Sequence, residues 1–302
     1  MNILLTGATG FIGRNILKSL LDIPDNKITV FIRPKSRGKL SEIKSDYRIY
    51  LGDILNKNEL LGAVKGQDVL IHCAGYVGKN KTRLKQLNVD ATEIIAQCAR
   101  EIGVKRLIYM SSVSVISANS GILKDDMPLN ASNIYGLSKL EAEQIIWQYI
   151  ADGGRAVILR PAMVYGKGEP HMLPKLVRLL KWRLFPLIGT AQNRWHLCAI
   201  ENLVEAVKIA LQNNEMLSNA YIVADEDVLT TREVIALLCK ATGAKQPITI
   251  PKSLADVLAN VPVASKYIRF FSKDRVYDIS KLRETSWKPL VDSKSAIKNI
   301  FA

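Results

Sequence analysis

The stretch NILLTGATGFIGRNILKSLL, residues 2–21, decides the fold. Its first five residues are apolar on both faces, as a strand buried inside a parallel sheet must be. Gly7, Gly10 and Gly13 follow at once, and an amphipathic helix is predicted over 12–22. In such a strand–turn–helix unit the backbone turns tightly at Gly7, approaches a pyrophosphate at Gly10, and packs helix against strand at Gly13. Phe11 and Ile12, between the last two glycines, join the same contact. The helix N-terminus then offers unpaired N–H groups to phosphate oxygens. The opening therefore predicts a dinucleotide-binding unit.

Further apolar, β-rich runs recur at ITVFI (28–32), YRIYL (47–51), DVLIH (68–72), RLIYM (106–110) and AVILR (156–160). Amphipathic stretches at 81–102 and 134–151 lie between them. This alternation predicts an α/β fold, a doubly wound parallel sheet of the Rossmann type covered by helices on both faces. After Pro161 the rhythm changes. Residues 166–194 are rich in Gly, Pro, Lys and Arg around one helical run, LPKLVRLLKW (173–182), whereas 197–224 read as strand, helix and strand. Helices follow from 225, with a Pro-marked stretch, QPITIPKS (246–253), and a tail, DISKLRETSWKPL (278–290). The expected organisation is a dinucleotide-binding domain of 1–165 with 195–224. A smaller, interleaved C-terminal substrate lobe comprises 166–194 with 225–302. No Gly/Ser-rich linker separates them, so the two should pack tightly.

Where the second strand ends, twenty residues past Gly13, an NAD-binding protein would place an acid for the ribose 2′-hydroxyl. Here Arg33 stands at that point, with Lys35 and Arg37 after it. A carboxylate would repel a 2′-phosphate, whereas a guanidinium binds one through two hydrogen bonds. NADP(H) is therefore the preferred expectation over NAD(H), the alternative being that these are surface cations beyond a strand. Asp53 follows the third strand, with Ile54 beside it. It can accept a hydrogen bond from the adenine amino group or serve only as a turn former.

RLIYMSSVSV ends a strand on Ser111 and Ser112, at the sheet edge where ligands bind in such folds. Tyr135 and Lys139 follow on the next helix, on one face by their four-residue spacing. A protonated lysine near a phenol stabilises the phenolate and lowers the tyrosine pKa from about 10. Tyr135 then serves as general acid or base for a carbonyl/alcohol pair, with Ser112 hydrogen-bonding the same oxygen.

With these motifs the chain resembles the extended short-chain dehydrogenase/reductases, which include nucleotide-sugar epimerases, dehydratases and reductases. The resemblance covers nearly the whole chain: TGATGFIG (6–13), GDIL (52–55), HCAG (72–75), NVDAT (88–92), SSVSV (111–115), YGLSK (135–139), RPAMVYGKG (160–168), IENLVEA (200–206) and SKLRETSWKP (280–289). It implies that Ser112, Tyr135 and Lys139 are catalytic, with Lys139 also holding the nicotinamide ribose. Ser112 is chosen over Ser111 because the family's hydroxyl stands three residues before a valine, here Val115. Asn88 and Ala74 would lie along the cofactor cleft, and Pro161 to Val164 would border the nicotinamide. A homodimer through the helices of 81–102 and 134–151 is expected on the same ground.

The family runs several chemistries on one scaffold, so fold alone does not choose among them. Dehydratases of the group usually carry an Asp-Glu pair after the catalytic hydroxyl; here those positions are Val113 and Ser114. The segment 170–206 resembles the nucleotide-sugar 4-epimerases and 4-reductases. Its Arg178, Lys181, Arg183 and Arg194 can supply cations for a diphosphate, or else form a basic helix face and loop. Met163 stands where many sugar epimerases carry asparagine, which leaves open a more apolar carbonyl substrate of hydroxysteroid or dihydroflavonol type. The expected activity is that of an NADP(H)-preferring oxidoreductase acting at a carbonyl/secondary alcohol, C4 of a nucleotide sugar. A 4-epimerase, a ketoreductase of an apolar substrate and a non-catalytic NADP sensor are the alternatives.

The bulk properties narrow the partners. The net charge of +14 favours anionic partners, but the cations are spread along the chain without a nucleic-acid motif or interleaved aromatics. A solvated surface accounts for most of them, and no nucleic-acid partner is expected. No apolar run reaches the length of a bilayer span, and MNILLTGATG lacks the basic start of a signal peptide, so a cytoplasmic location is expected. Cys73, Cys98, Cys198 and Cys239 stand singly, as do His72, His171 and His196, so neither a disulfide framework nor a metal is implied.

Overall fold

In a computed structural model that describes residues 1–44, 46–116, 121–258 and 273–301, the apolar runs form seven parallel strands. They are β1 (Asn2–Thr6), β2 (Lys27–Ile32), β3 (Arg48–Leu51), β4 (Val69–His72), β5 (Arg106–Met110), β6 (Ala156–Pro161) and β7 (Asn219–Val223). Their spatial order is β7-β6-β5-β4-β1-β2-β3. The chain starts in the middle, winds outward to β3, then crosses back to lay β4 beside β1. That reversal opens a crevice at the carboxyl ends of β1 and β4, the place where open α/β sheets bind ligands.

Strand alternation explains why both sheet faces are covered. In β1, Ile3 and Leu5 point into one apolar cluster and Leu4 into the other. Helices α1 (Phe11–Leu21) and α7 (Ile200–Gln212) cover the first face through Leu17, Leu20, Leu203 and Val207. On the second face lie α2 (Lys57–Val64), α4 (Ala91–Ile102) and α5 (Ile134–Ala151), with Leu60, Ile95 and Ile146 turned inward. The expected doubly wound architecture is what the chain adopts.

Two local features go beyond the sequence reading. Helix α2 is only eight residues long and too short to show a clear period; Asn56 starts it, its side-chain oxygen accepting from the backbone N–H groups of Asn58 at 3.1 Å and Glu59 at 3.3 Å. The stretch 81–102 is not one regular helix: a short α3 (Lys81–Leu84) runs through a π-helical turn, Lys85–Asp90, into α4. Asn88 sits in that wider turn, a form often found at functional sites.

A third apolar cluster is built from Leu173, Leu176 and Leu180 of α6 (Leu173–Lys181), Val234 and Leu238 of α8 (Thr231–Thr242), and Ile297. Buried Asp225, just after β7, ties it to the sheet. Its carboxylate accepts from the Ala199 N–H at 2.6 Å, Asn202 Nδ2 at 2.8 Å, the Tyr165 hydroxyl at 2.8 Å and the Ser293 hydroxyl at 2.8 Å. The tail returns to the first cluster through Ile279, Leu282 and Trp287. Residues 259–272 and 302, within the segment 225–302 assigned above to the lobe, lie outside the described residues.

Candidate active site

The glycine turn after β1 forms the floor of the crevice. Gly7 has a φ of +76° and lies so close to the end of β4 that a Cβ there would come within 2.6 Å of the Ala74 nitrogen. A Cβ on Gly13 would overlap the Gly7 carbonyl oxygen. Gly10 N-caps α1; it is exposed, has no side chain of its own to satisfy the helix amides, and no acid follows in the first turn. The amides at the start of α1 are thus left for an outside acceptor, with Phe11 and Ile12 partly buried beside them. These residues fit a dinucleotide pyrophosphate: backbone packs where side chains would stand, and a positive helix end faces the opening.

Beyond β2, Arg33 N-caps a short 3₁₀ helix, Pro34–Leu40. Arg33, Lys35 and Arg37 are exposed, and among the described residues no carboxylate is paired with them. Asp53 is exposed and closes its own turn, Oδ1 accepting from the Leu55 N–H at 3.1 Å, while Ile54 is buried. The Ala74 N–H donates to the Thr6 hydroxyl at 3.3 Å. That hydroxyl also bonds Nδ1 of buried His72 at 2.8 Å, and Thr92 bonds its Nε2 at 3.1 Å. Burial pushes His72 down to about 3, so it is a neutral structural residue.

At the carboxyl end of β5 the two serines part ways. Ser111 is buried and donates to the carboxylate of Glu143 on α5. Ser112 is only partly buried and N-caps the turn Val113–Val115, accepting from the Ser114 N–H at 3.1 Å. Helix α5 begins directly against that turn. Asn133 caps it, accepting from the Gly136 N–H at 2.9 Å, and Gly136 is so close to the strand end that a Cβ would overlap the Ser114 carbonyl oxygen. This close approach sets the Tyr135 phenol beside Ser112, near enough for the serine hydroxyl to act on its ionisation.

One turn on, Lys139 is buried, donating to the Met110 carbonyl at 2.8 Å and the Tyr109 hydroxyl at 3.3 Å. Its ammonium also lies 4.9 Å from the centre of the Tyr109 ring. The electrostatics differ from the sequence expectation. Burial pushes Tyr135 up to about 12, and the Ser112 hydrogen bond acts the other way without reversing it. Burial pushes Lys139 down to about 8, with Cys73 and Glu143 opposing. Spacing alone identified the neighbours but not the dry surroundings that govern both groups. Tyr135 therefore stands as a neutral phenol, ready to donate. A rate that depends on charged Lys139 should fall as pH rises through about 8. The kcat/KM for carbonyl reduction is expected to show that descending limb, and Lys139→Arg to move it to higher pH because arginine keeps its charge. A profile flat across the alkaline range in both proteins would remove Lys139 from the rate-determining chemistry.

The remaining expected residues fall in two groups. Asn88 is fully buried against the site: its side chain accepts from the Tyr76 N–H at 2.6 Å and donates to the Tyr76 carbonyl at 3.1 Å and the Ser138 hydroxyl at 2.9 Å. Pro161 ends β6, and Met163 and Val164 begin a short parallel pair with Leu197–Ala199. A Cβ on Gly166, two residues later, would lie 3.5 Å from the Phe11 ring, so this segment borders the start of α1. By contrast, no hydrogen bond or ion pair joins Arg178 or Arg194 to the Ser112–Tyr135–Lys139 group among the described residues. Arg178 is exposed and lies 5.9 Å over the Trp182 ring. Arg194 is held by Asp274 through its backbone N–H, Nε and Nη2 at 2.7, 3.0 and 2.8 Å.

Sequence reasoning missed the supports behind the trio. Arg160 of β6 grips Glu143, with Nη2 donating to Oε2 at 2.8 Å and Nε to Oε1 at 3.1 Å, and Nη1 donates to the Asp125 carbonyl at 3.0 Å. Burial raises the Asp125 carboxyl to about 6. The available signal was Glu143 itself, a charge four residues after Lys139 on the buried face of α5.

Among the described residues no group of three or more His, Cys, Asp or Glu could hold a metal ion, and no helix is long and apolar enough to cross a membrane. Residues 3–224 match the model of the NAD dependent epimerase/dehydratase family. The chain is 28% identical to UDP-glucose 4-epimerase of Vibrio cholerae, over 95% of this chain and 90% of that protein. It is 27% identical to 3beta-hydroxysteroid-dehydrogenase/decarboxylase isoform 1 of Arabidopsis thaliana, over 97% and 77% of the two chains. A solved structure of UDP-glucuronic acid 4-epimerase from Bacillus cereus, in complex with UDP-glucuronic acid and NAD, superposes with a TM-score of 0.81 over 100% of this chain and 98% of that one, at 21% identity.

Proposed function

The chain belongs to the NAD-dependent epimerase/dehydratase family, enzymes of the extended short-chain dehydrogenase/reductase type, and from that premise we propose that it is an NADP(H)-preferring oxidoreductase acting at C4 of a nucleotide sugar. The observation that carries the chemistry is the Ser112–Tyr135–Lys139 group at the end of β5, on the same sheet edge as the glycine turn after β1. The turn of Gly7, Gly10 and Gly13 with Phe11 and Ile12 would hold the pyrophosphate. Asp53, Ile54, Ala74, Asn88, Pro161 and Val164 would line the rest of the cleft. When bound, the nicotinamide gives or takes a hydride at the substrate carbon. Tyr135 gives the proton to the carbonyl oxygen in reduction, Ser112 holds that oxygen, and Lys139 steadies the charge left on the phenol. Residues 1–165 with 195–224 would carry the dinucleotide, and 166–194 with 225–302 would close on the sugar. A cytoplasmic homodimer belongs to the same proposal.

The absence of a carboxylate pair after Ser112 speaks against water elimination. The cations after β2 speak for NADP(H). Arg33→Asp should remove a charge-assisted pair with the 2′-phosphate, about 1.5–3 kcal/mol, and so shift the NADPH/NADH ratio of kcat/KM by about tenfold or more toward NADH. An unchanged ratio would sink the 2′-phosphate assignment.

A second reading, a ketoreductase of an apolar substrate, is favoured by Met163, which packs against the third apolar cluster where a sugar would seek polar partners, and by the likeness to the steroid enzyme. Incubation with NADPH and a panel of nucleotide 4-keto sugars beside apolar ketones separates the readings. Net NADPH loss with the sugars supports the proposal. Loss only with the ketones supports the second reading, and sugar interconversion without loss marks a 4-epimerase.

A further inference from the structure

The smaller lobe carries an exposed surface that is both basic and apolar. Residues 170–200 and 234–255 contain no aspartate or glutamate, yet besides Lys240 and Arg194, which Asp274 holds, they carry Lys175, Arg178, Lys181, Arg183, Lys245 and Lys252. All six are exposed, and among the described residues none forms an ion pair. Over the sheet helices several surface cations are matched: Lys57 by Glu101, Lys85 by Glu141, Arg100 by Asp152 and Lys105 by Asp68.

Large apolar side chains stand among these unmatched cations. Trp182 is 62% exposed, Leu184 64%, Ile248 74% and Leu254 46%. Their exposure follows from the local backbone. Helix α6 buries Leu173, Leu176, Val177 and Leu180 and turns its cations outward. It then breaks at Arg183, whose φ of 58° is uncommon for a residue with a side chain. The turn closes with the Leu184 N–H donating to the Leu179 carbonyl at 2.9 Å. Leu187–Ile188 pairs in parallel with Thr249–Ile250, and the Leu187 N–H donates to the Ile248 carbonyl at 2.9 Å. This pairing sets Ile248, and Leu254 on the helix that follows it, beside the segment that carries Trp182 and Leu184.

We propose that this face of the lobe docks on an anionic lipid bilayer, with the four apolar side chains at headgroup depth and the six cations against lipid phosphates. Tryptophan favours the boundary between water and hydrocarbon. Each cation near an anionic leaflet contributes about 1 kcal/mol. The aliphatic groups choose between anionic partners: Leu184, Ile248 and Leu254 gain from lipid but add nothing on a nucleic-acid backbone. Since no described helix can span a bilayer, the association is peripheral and reversed by salt.

The test is sedimentation of the full chain with vesicles of equal parts phosphatidylcholine and phosphatidylglycerol, against vesicles of phosphatidylcholine alone. Binding is expected to the anionic vesicles only, weaker in high salt, with a blue shift in emission from Trp182. The double variant Trp182→Ser with Leu184→Ser should bind about tenfold more weakly. Lys245→Glu with Lys252→Glu should lose tenfold or more, as about 1 kcal/mol per cation requires. Thermal unfolding and NADPH binding of both variants should match the parent, since all four positions are exposed. The proposal is overturned if the anionic vesicles fail to retain the parent at low salt, or if the Trp182/Leu184 variant binds them equally well. It is also overturned if duplex DNA competes on equal terms with the vesicles.

Discussion

Tyr135→Phe is expected to lower kcat by about 10²–10⁴-fold, the range that one well-placed general acid contributes. NADPH affinity should stay within about twofold, because the turn of Gly7, Gly10 and Gly13 is untouched. The geometry is specific about this split. The phenol stands beside Ser112 and is pushed up to about 12 by burial, so at neutral pH it carries the proton that a reduced carbonyl needs. Removing one oxygen removes the proton but leaves the ring's packing. Stopped-flow turnover with a titration of NADPH fluorescence reads both quantities. Retained turnover would take Tyr135 out of the mechanism, and a parallel loss of NADPH binding would make its role structural.

The second large effect concerns stability. Glu143 is completely buried, accepts from Ser111, and meets Arg160, itself 2% exposed. Glu143→Gln leaves the buried guanidinium only the more distant Asp125 carboxylate, 3.7 Å from Nη1, and breaking such a pair from one side costs about 3–5 kcal/mol. Replacing both partners, Glu143→Leu with Arg160→Met, should recover only part of that loss, since the buried Asp125 carboxyl, 3.7 Å from Arg160 Nη1, then loses its cation. Urea unfolding of the three proteins measures it. A single variant within about 1 kcal/mol of the parent would show that the pair does not hold α5 against β6. The consequence reaches the site, because α5 carries Tyr135 and Lys139 and the same carboxylate anchors the residue next to Ser112.

What the sequence made legible was local. NILLT, the three glycines and the run after them specify strand, turn and helix within twenty residues, so every signal falls inside one window. The four-residue spacing of Tyr135 and Lys139 likewise put both on one helix face. Contacts between distant segments were not readable in this way. Ser111 and Ser112 are adjacent and chemically identical; only the fold sends one to Glu143 and leaves the other partly exposed beside Tyr135. Asp225 draws on Tyr165, Ala199, Asn202 and Ser293, four positions that no short window joins. Burial was the other hidden quantity. Lys139 was expected to acidify Tyr135, but burial is the largest influence on each group: it raises the phenol, with Ser112 acting the other way, and lowers the ammonium.

The candidate sugar ligands show the same limit from the other side. Arg178 and Arg194 were picked for charge and position in the chain. The fold places Arg178 over Trp182 at an exposed helix end and commits Arg194 to Asp274. Charge in a sequence marks a cation but not its address.

The central claim is that hydride passes between the cofactor and C4 of a nucleotide sugar while Tyr135 moves the proton. Incubating the enzyme with NADPH deuterated on the nicotinamide C4 and a nucleotide 4-keto sugar, then reading the sugar by mass and NMR, tests it most directly. One deuterium is expected at sugar C4 for each NADPH consumed, appearing about 10²–10⁴-fold more slowly with Tyr135→Phe. Sugar that turns over without gaining the label, or label transferred equally well by the phenylalanine variant, would contradict it.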